Sequence, residues 1–202
     1  MNINVQINFI IAKHVKISKK NRKKFVLNQV YPYSSISSLL IALPIMMVYA
    51  VTYYYLFGDG FYLGPVSLTF LFYFATTTRI IRLFSKDVTI WFDDQYMYLQ
   101  LNQKAPQRYV KQEILGFYSY DYSTKSPLLF NSKVSIHFYL AQGKKIFLND
   151  SSYRNIVDED KRLLLIKFLK IAQSELEFSP LHAKSRFFAN HVYWYARQHD
   201  RD

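Results

Sequence analysis

The sequence predicts an α+β membrane protein in which a two-helix transmembrane hairpin precedes a small antiparallel β domain closed by one helix. Two long runs without a charged residue meet at the triplet Gly58-Asp59-Gly60; segments with strand periodicity follow; a single amphipathic helical pattern comes after them. That order, strands first and one helix last, argues for a small, strongly bent sheet or barrel with the helix on its open end.

The elements are taken in chain order. Residues 1–9 alternate, with Ile3, Val5, Ile7 and Phe9 on one side and Asn2, Asn4, Gln6 and Asn8 on the other, the period of a half-buried strand. From residue 25 to 58 there is no Asp, Glu, Lys or Arg, and residues 35–57 (SISSLLIALPIMMVYAVTYYYLF) are mostly apolar or aromatic. Residues 61–78 (FYLGPVSLTFLFYFATTT) add a second uncharged run. An Asp-Gly step between apolar segments signals a β-hairpin in a soluble protein, but a strand is typically about 3 to 10 residues long. Each of these runs is long enough, as a helix, to cross a hydrocarbon core roughly 30 Å thick, the second only just. The triplet therefore reads as the tip of a helical hairpin. Two buried core helices are the competing reading, and Tyr31, Tyr33 and Tyr53 to Tyr55, placed where interfacial aromatics belong, favour the membrane. Pro44 is expected to kink the first helix.

Charge sets the orientation. Before the first run stand Lys13, Lys16, Lys19, Lys20, Arg22, Lys23 and Lys24 with no acidic residue, and Arg79, Arg82 and Lys86 follow the second run directly. The positive-inside rule then puts both termini in the cytoplasm and residues 58–60 outside, a multi-pass arrangement. A cleaved signal peptide does not fit, because the apolar region starts too late and is too long. The net charge of +12 could indicate nucleic acid, yet basic residues beside membrane spans are accounted for by topology and anionic headgroups, so no nucleic-acid partner is expected. The absence of cysteine excludes disulfides and thiolate chemistry.

Beyond the spans, residues 87–92 (DVTIWF) and 96–101 (YMYLQL), separated by Asp93-Asp94-Gln95, predict an antiparallel hairpin. Residues 114–122 (ILGFYSYDY), 133–140 (KVSIHFYL) and 145–148 (KIFL) predict further strands, with a turn at residues 141–144 around Gly143. A helix begins at Asp158, Glu159 and Asp160, where acids suit the positive helix end, and carries the stripe Leu164, Leu165, Phe168, Leu169, Ala172 and Leu176.

Two spans, then KDVTIWFDDQYMYLQ, YVKQEILGFYSYD, KVSIHFYLAQGKKIFLND and a helix resemble the bacterial membrane proteins that carry a pleckstrin-homology-like domain, the YcxB-like group among them. The resemblance covers residues 1–178 and is one of layout and hydrophobic pattern, without a diagnostic short motif. Where that family often has a Trp before the Ile corresponding to Ile114, this chain has Glu113. The resemblance implies a pleckstrin-homology-like β-barrel with a C-terminal helix, on the cytoplasmic side of the bacterial inner membrane. It divides the chain into an N-terminal strand and basic juxtamembrane segment (1–34), the transmembrane hairpin (35–82), the cytoplasmic domain (83–178) and a basic, aromatic C-terminal helix or tail (179–202).

No enzyme is indicated. His14, His137, His182, His191 and His199 include no pair at three or four residues, so neither metal nor cofactor is expected. His137, within a strand pattern, reads as a hydrogen-bonded strand residue. No GxSxG, P-loop or GxGxxG motif occurs, and a turn and a helix start explain the close carboxylates. The spans hold no ionisable residue that would mark an ion pathway, only hydroxyls such as Thr52, Ser67, Thr69 and Thr76 to Thr78, which can bond back to the helix. A channel would need an oligomer, and a homo-oligomer stays open as an arrangement.

The tail after Ser179 combines His182, Lys184, Arg186 and Arg197 with Phe187, Phe188, Tyr193, Trp194 and Tyr195 and suggests an amphipathic helix after Pro180. Its aromatics either pack on the domain, lie in the headgroup layer or face a partner. Lys19, Lys20, Arg22, Lys23 and Lys24 on one side and Arg79, Arg82 and Lys86 on the other are expected to form one basic collar at headgroup level. That collar either sets topology through charge or holds an anionic lipid. Two functional classes follow: a non-enzymatic membrane-anchored binding or scaffold module with lipids and an unknown protein as partners, and an inner-membrane immunity protein that blocks a membrane-targeting toxin.

Overall fold

Phe25, Leu27, Val30 and Tyr31 are buried while Val26, Asn28 and Gln29 are exposed, so the stretch before the first apolar run is a strand, β1 (Phe25–Tyr31). The two consecutive exposed residues mark a bulge: the register to the neighbouring strand shifts between Leu27 and Val30, and Gln29 takes a left-handed φ of 55°. The computed structural model describes residues 23–123, 133–151, 158–183 and 192–198. The strand expected over residues 1–9, and Lys19, Lys20 and Arg22, lie outside the described residues.

Ser34 caps the first helix, α1 (Ser35–Phe57), its hydroxyl accepting from the Ser37 amide at 3.4 Å. At the other end the chain turns at Gly58, whose φ of 64° suits a residue without a Cβ and whose amide donates to Tyr54 O at 2.8 Å. The second helix, α2 (Leu63–Leu83), runs back beside α1. The Tyr53 hydroxyl donates to Gly60 O (2.9 Å) and accepts from the Tyr62 amide (3.2 Å), which pins the reversal. The Gly58-Asp59-Gly60 triplet thus joins two helices rather than two strands. Tyr49 and Thr76 share a hydroxyl–hydroxyl bond of 2.7 Å between the helices. The outer surface of the pair is apolar and open: Leu40, Met47, Val51, Tyr55, Leu63 and Leu71 are all exposed. Among the described residues α1 is the one helix long and apolar enough, by length and composition, to cross a membrane. α2 is 21 residues long and carries Arg79 and Arg82.

The remaining chain forms β2 (Lys86–Phe92), β3 (Tyr96–Leu101), β4 (Gln107–Val110), β5 (Ile114–Tyr120), β6 (Ser135–Leu140), β7 (Lys145–Asp150), the helix α3 (Glu159–Leu176), β8 (Ser179–Ala183) and β9 (Val192–Ala196). The β2–β3 turn is held by Asp93, whose Oδ1 accepts from the amides of Gln95 (3.0 Å) and Tyr96 (2.7 Å). All nine strands join one antiparallel open sheet in the order β4-β3-β2-β1-β7-β6-β5-β9-β8, with β4 and β8 at its edges. Two arms, β4 to β1 and β7 to β8, meet in a short ladder that pairs Val30 with Asp150 and Tyr31 with Asn149.

The core lies between the sheet and α3. Asp158 caps α3 by accepting from the Lys161 amide (3.0 Å), and Leu165, Phe168, Leu169, Ala172 and Leu176 are buried. Phe168 meets Phe25 edge-on (ring centroids 5.4 Å apart) and Phe92 (6.4 Å), so it joins α3 to the first arm. Phe117 packs on Phe138, Phe178 and Tyr195 in the second.

Three elements differ from the sequence expectation. β1 lies within the uncharged run rather than apart from it, and β4 adds a strand between the two segments expected over 96–101 and 114–122. The third is the tail: where a helix was expected after Pro180, the chain makes β8 and β9. β9 adds to β5 in register, Tyr195 opposite Phe117 and Trp194 opposite Tyr118, so a free edge of the sheet supplies the hydrogen bonds that a helix would have made internally. Tyr195 is buried in the core, which corresponds to packing on the domain.

Candidate functional site

The two helices leave and rejoin the sheet at neighbouring points, because α1 follows β1, α2 precedes β2, and Val30 of β1 lies opposite Lys86 of β2. At the same end, β7 brings Asn149 and Asp150 against Tyr31 and Val30. Between helix bases and strand ends opens a cleft of about 800 Å³. Its walls are Ser38, Leu39 and Ala42 of α1 and Tyr73, Phe74, Thr77, Thr78 and Ile81 of α2; its floor is Tyr31, Asn149, Asp150 and Ser151. A smaller apolar cavity of about 240 Å³ lies further along the helix pair, and Tyr73 lines both.

The floor is held by hydrogen bonds. Asn149 Nδ2 donates to Tyr33 O (3.1 Å), and its Oδ1 lies 2.7 Å from His137 Nε2, so the imidazole carries its proton on Nε2. Ser151 donates through its hydroxyl to Gln29 O (2.7 Å), which ties β7 to the bulge of β1. Asp150 Oδ2 is paired with Lys161 Nζ at 2.5 Å, a bond that joins the floor to the first turn of α3. Burial lowers the pKa of His137, and the bond to Asn149 offsets part of that shift.

Thr77 stands apart from the other hydroxyls of the hairpin. Thr52 and Thr69 donate to the carbonyls of Val48 and Pro65 in their own helices, both at 2.8 Å, and Thr76 bonds to Tyr49. Thr77 is 9% exposed, its Oγ1 is buried in the cleft wall, and among the described residues it is the one buried side-chain polar atom without a hydrogen-bond partner. Leaving such a group unpaired costs about 1 to 3 kcal/mol.

The expected collar divides. Arg79 and Arg82 are exposed near the end of α2, and Lys86 opens β2, donating to the Tyr33 hydroxyl at 3.3 Å. Lys24 instead lies 5.1 Å from the ring centroid of Trp91, which stacks flat on Tyr98. Phe25 pairs with Ile90 and Val30 with Lys86, so Lys24 sits at the far end of β1, about 20 Å from Lys86 at the usual strand rise. Lys23, exposed, precedes it in the chain. Among the described residues β1 carries Lys23 and Lys24 away from the helix bases, and Lys19, Lys20 and Arg22 of the expected collar lie outside the described residues. The two arginines do not line the cleft. Tyr73, Thr77 and Ile81 recur every four residues on one side of α2, and Arg79, two residues after Thr77, is rotated about 200° from it.

Chemically the site offers apolar walls, several hydroxyl and amide groups and one ion pair. No group of three His, Asp or Glu that could hold a metal ion occurs among the described residues. Ser38, Asn149 and Ser151 carry no local signal in the sequence, since α1 and the end of β7, more than a hundred positions apart, bring them together. Comparison with protein-family models, with curated proteins and with solved structures finds no match.

Proposed function

We propose that the protein is a non-enzymatic binding or scaffold module, anchored by its helical hairpin in the bacterial inner membrane, that presents a pleckstrin-homology-like sheet domain on the cytoplasmic side. The observation that carries this reading is the exposed apolar surface of α1 and α2, from Leu40, Met47 and Val51 to Leu63 and Leu71, beside a domain whose own apolar residues are largely buried. Apolar patches of that extent on a soluble chain mark a membrane or partner surface; α1, about 34 Å long, matches a bilayer core, and the uncharged run that leads into and fills most of α2 is only just long enough. The basic residues Arg79, Arg82 and Lys86 follow α2 or end it, as the cytoplasmic boundary of a span requires. Partners on this reading are inner-leaflet lipids and a cytoplasmic protein.

Labelling of single cysteines in intact cells tests it, since the chain has none of its own. Asp59→Cys, in the turn between the helices, reacts with a membrane-impermeant thiol reagent; Gln103→Cys, exposed in the β3–β4 turn, reacts only after lysis. Labelling of Gln103→Cys from outside, or protection of Asp59→Cys, overturns the arrangement.

A further inference from the structure

We infer that the cleft at the helix bases holds one ester-linked phospholipid of the inner leaflet, with the Thr77 hydroxyl donating to a glycerol-ester carbonyl. The inference rests on the membrane reading above and names the ligand class of that site.

Three observations carry it. The first is the unpartnered Thr77 hydroxyl, buried in a residue that lines the cleft, where Thr52, Thr69 and Thr76 of the hairpin have satisfied theirs. A donor in that state calls for an acceptor that the described residues do not supply. The second is a gradient in the lining. Leu39, Ala42, Tyr73 and Phe74 form the end of the cleft toward the hairpin tip; Ser38, Thr77 and Thr78 come next; Asn149, Asp150 and Ser151, with Ile81 and Tyr31 beside them, form the end toward the sheet. Acyl chain, ester and headgroup follow one another in the same order. The third is level. Arg79 is the first charged residue after Asp59, so with the hairpin in the bilayer Thr77 stands where hydrocarbon gives way to headgroups, the depth of the glycerol esters. The smaller cavity beyond Tyr73, lined by Met46, Ala50, Val66 and Phe70, continues the apolar path for a chain. The charged pair at the floor is Asp150 with Lys161, and Arg79 points to the opposite side of α2. Recognition therefore runs through the ester and through headgroup hydrogen bonds, and needs no net negative charge on the lipid.

An ether lipid lacks the ester carbonyl and keeps everything else. Full-length protein is relipidated with equal amounts of diacyl and dialkyl phosphatidylethanolamine, washed in mild detergent and analysed by native mass spectrometry. The wild type retains about one lipid per chain and prefers the diacyl form by about fivefold, the scale of one hydrogen bond. Thr77→Val removes that preference, Thr77→Ser keeps it, and Thr52→Val, whose hydroxyl serves its own helix and lines neither cavity, leaves it unchanged. No retained lipid, equal retention of the two lipids by the wild type, or an undiminished preference in Thr77→Val overturns the inference. If any of these occurs while Asp59→Cys is labelled from outside, only the lipid site falls. Protection of Asp59→Cys removes the membrane reading itself.

Discussion

Val30 and Lys86 are direct partners in the β1–β2 ladder although both long helices separate them in the chain. Residues opposite one another in such a ladder have Cα atoms about 5 Å apart. The hairpin is thus an insertion between two strands that would otherwise be joined by a tight turn.

Excision follows directly. Replacing residues 34–85 with a short Asn- and Gly-containing turn leaves the whole core cluster of the domain in place, since none of its buried residues lies within that segment. The expected product is soluble without detergent and shows a β-rich circular dichroism spectrum with one cooperative thermal transition. A product that aggregates, or that lacks the transition, shows that the helices are part of the domain's support.

Gly116 lies in β5 under Trp194. A Cβ there would stand 2.3 Å from Trp194 Cζ2 and 2.6 Å from Tyr195 O, so Gly116→Ala must displace both an aromatic ring and the β9 backbone. Overpacking of this kind costs about 1 to 3 kcal/mol. Urea denaturation reads the loss, and the double variant with Trp194→Ala recovers only part of it, because the backbone contact remains.

Tyr122 is fully buried; its hydroxyl donates to Lys133 O (3.0 Å) and accepts from the Ser135 amide (3.2 Å), so it links the two ends of the β5–β6 connection. Burial pushes its phenol pKa up, keeping it protonated as a donor. Tyr122→Phe keeps the ring and removes both bonds, with an expected loss of about 1 to 3 kcal/mol in denaturant unfolding.

His137 gives the domain a pH dependence. Its pKa is lowered in the folded state, by burial above all, so between that value and the ordinary one the unfolded chain binds more protons. Stability from this group is complete above about pH 6.5 and falls as the pH drops toward the folded-state pKa. Thermal unfolding at pH 7.5 and 5.5 shows this loss in the wild type, and His137→Gln, which preserves a donor to Asn149, reduces it.

What the sequence made legible depends on how local each signal is. The β2–β3 hairpin was readable to within a residue because Asp93 marks its turn and the alternation of Val88, Ile90 and Phe92 is unbroken. α3 was readable from the spacing of Leu165, Phe168, Leu169, Ala172 and Leu176. β1 was hidden by its bulge, since two adjacent exposed residues, Asn28 and Gln29, break the period and the uncharged run continues through it. β9 was hidden because Tyr193, Trp194 and Tyr195 owe their strand conformation to β5, more than seventy positions earlier. The cleft was legible only in its hydroxyls, and Thr77 was one of several until the structure showed that it lacks a partner.

The inserted hairpin also sets an order of assembly. β1 is synthesised before both helices, whereas its neighbours β2 and β7 come after them. Bringing β1 back across a flexible loop of that length would carry an entropic cost that grows with the logarithm of the loop. Two rods lying side by side return the chain to its starting point, so insertion of the hairpin does the work of loop closure. A copy whose helices fail to pair holds β1 away from its partners and leaves β2 and β7 with open edges, the exposed strands that invite aggregation and proteolysis. On the proposed membrane reading, integration of the hairpin becomes a checkpoint in the domain's own folding.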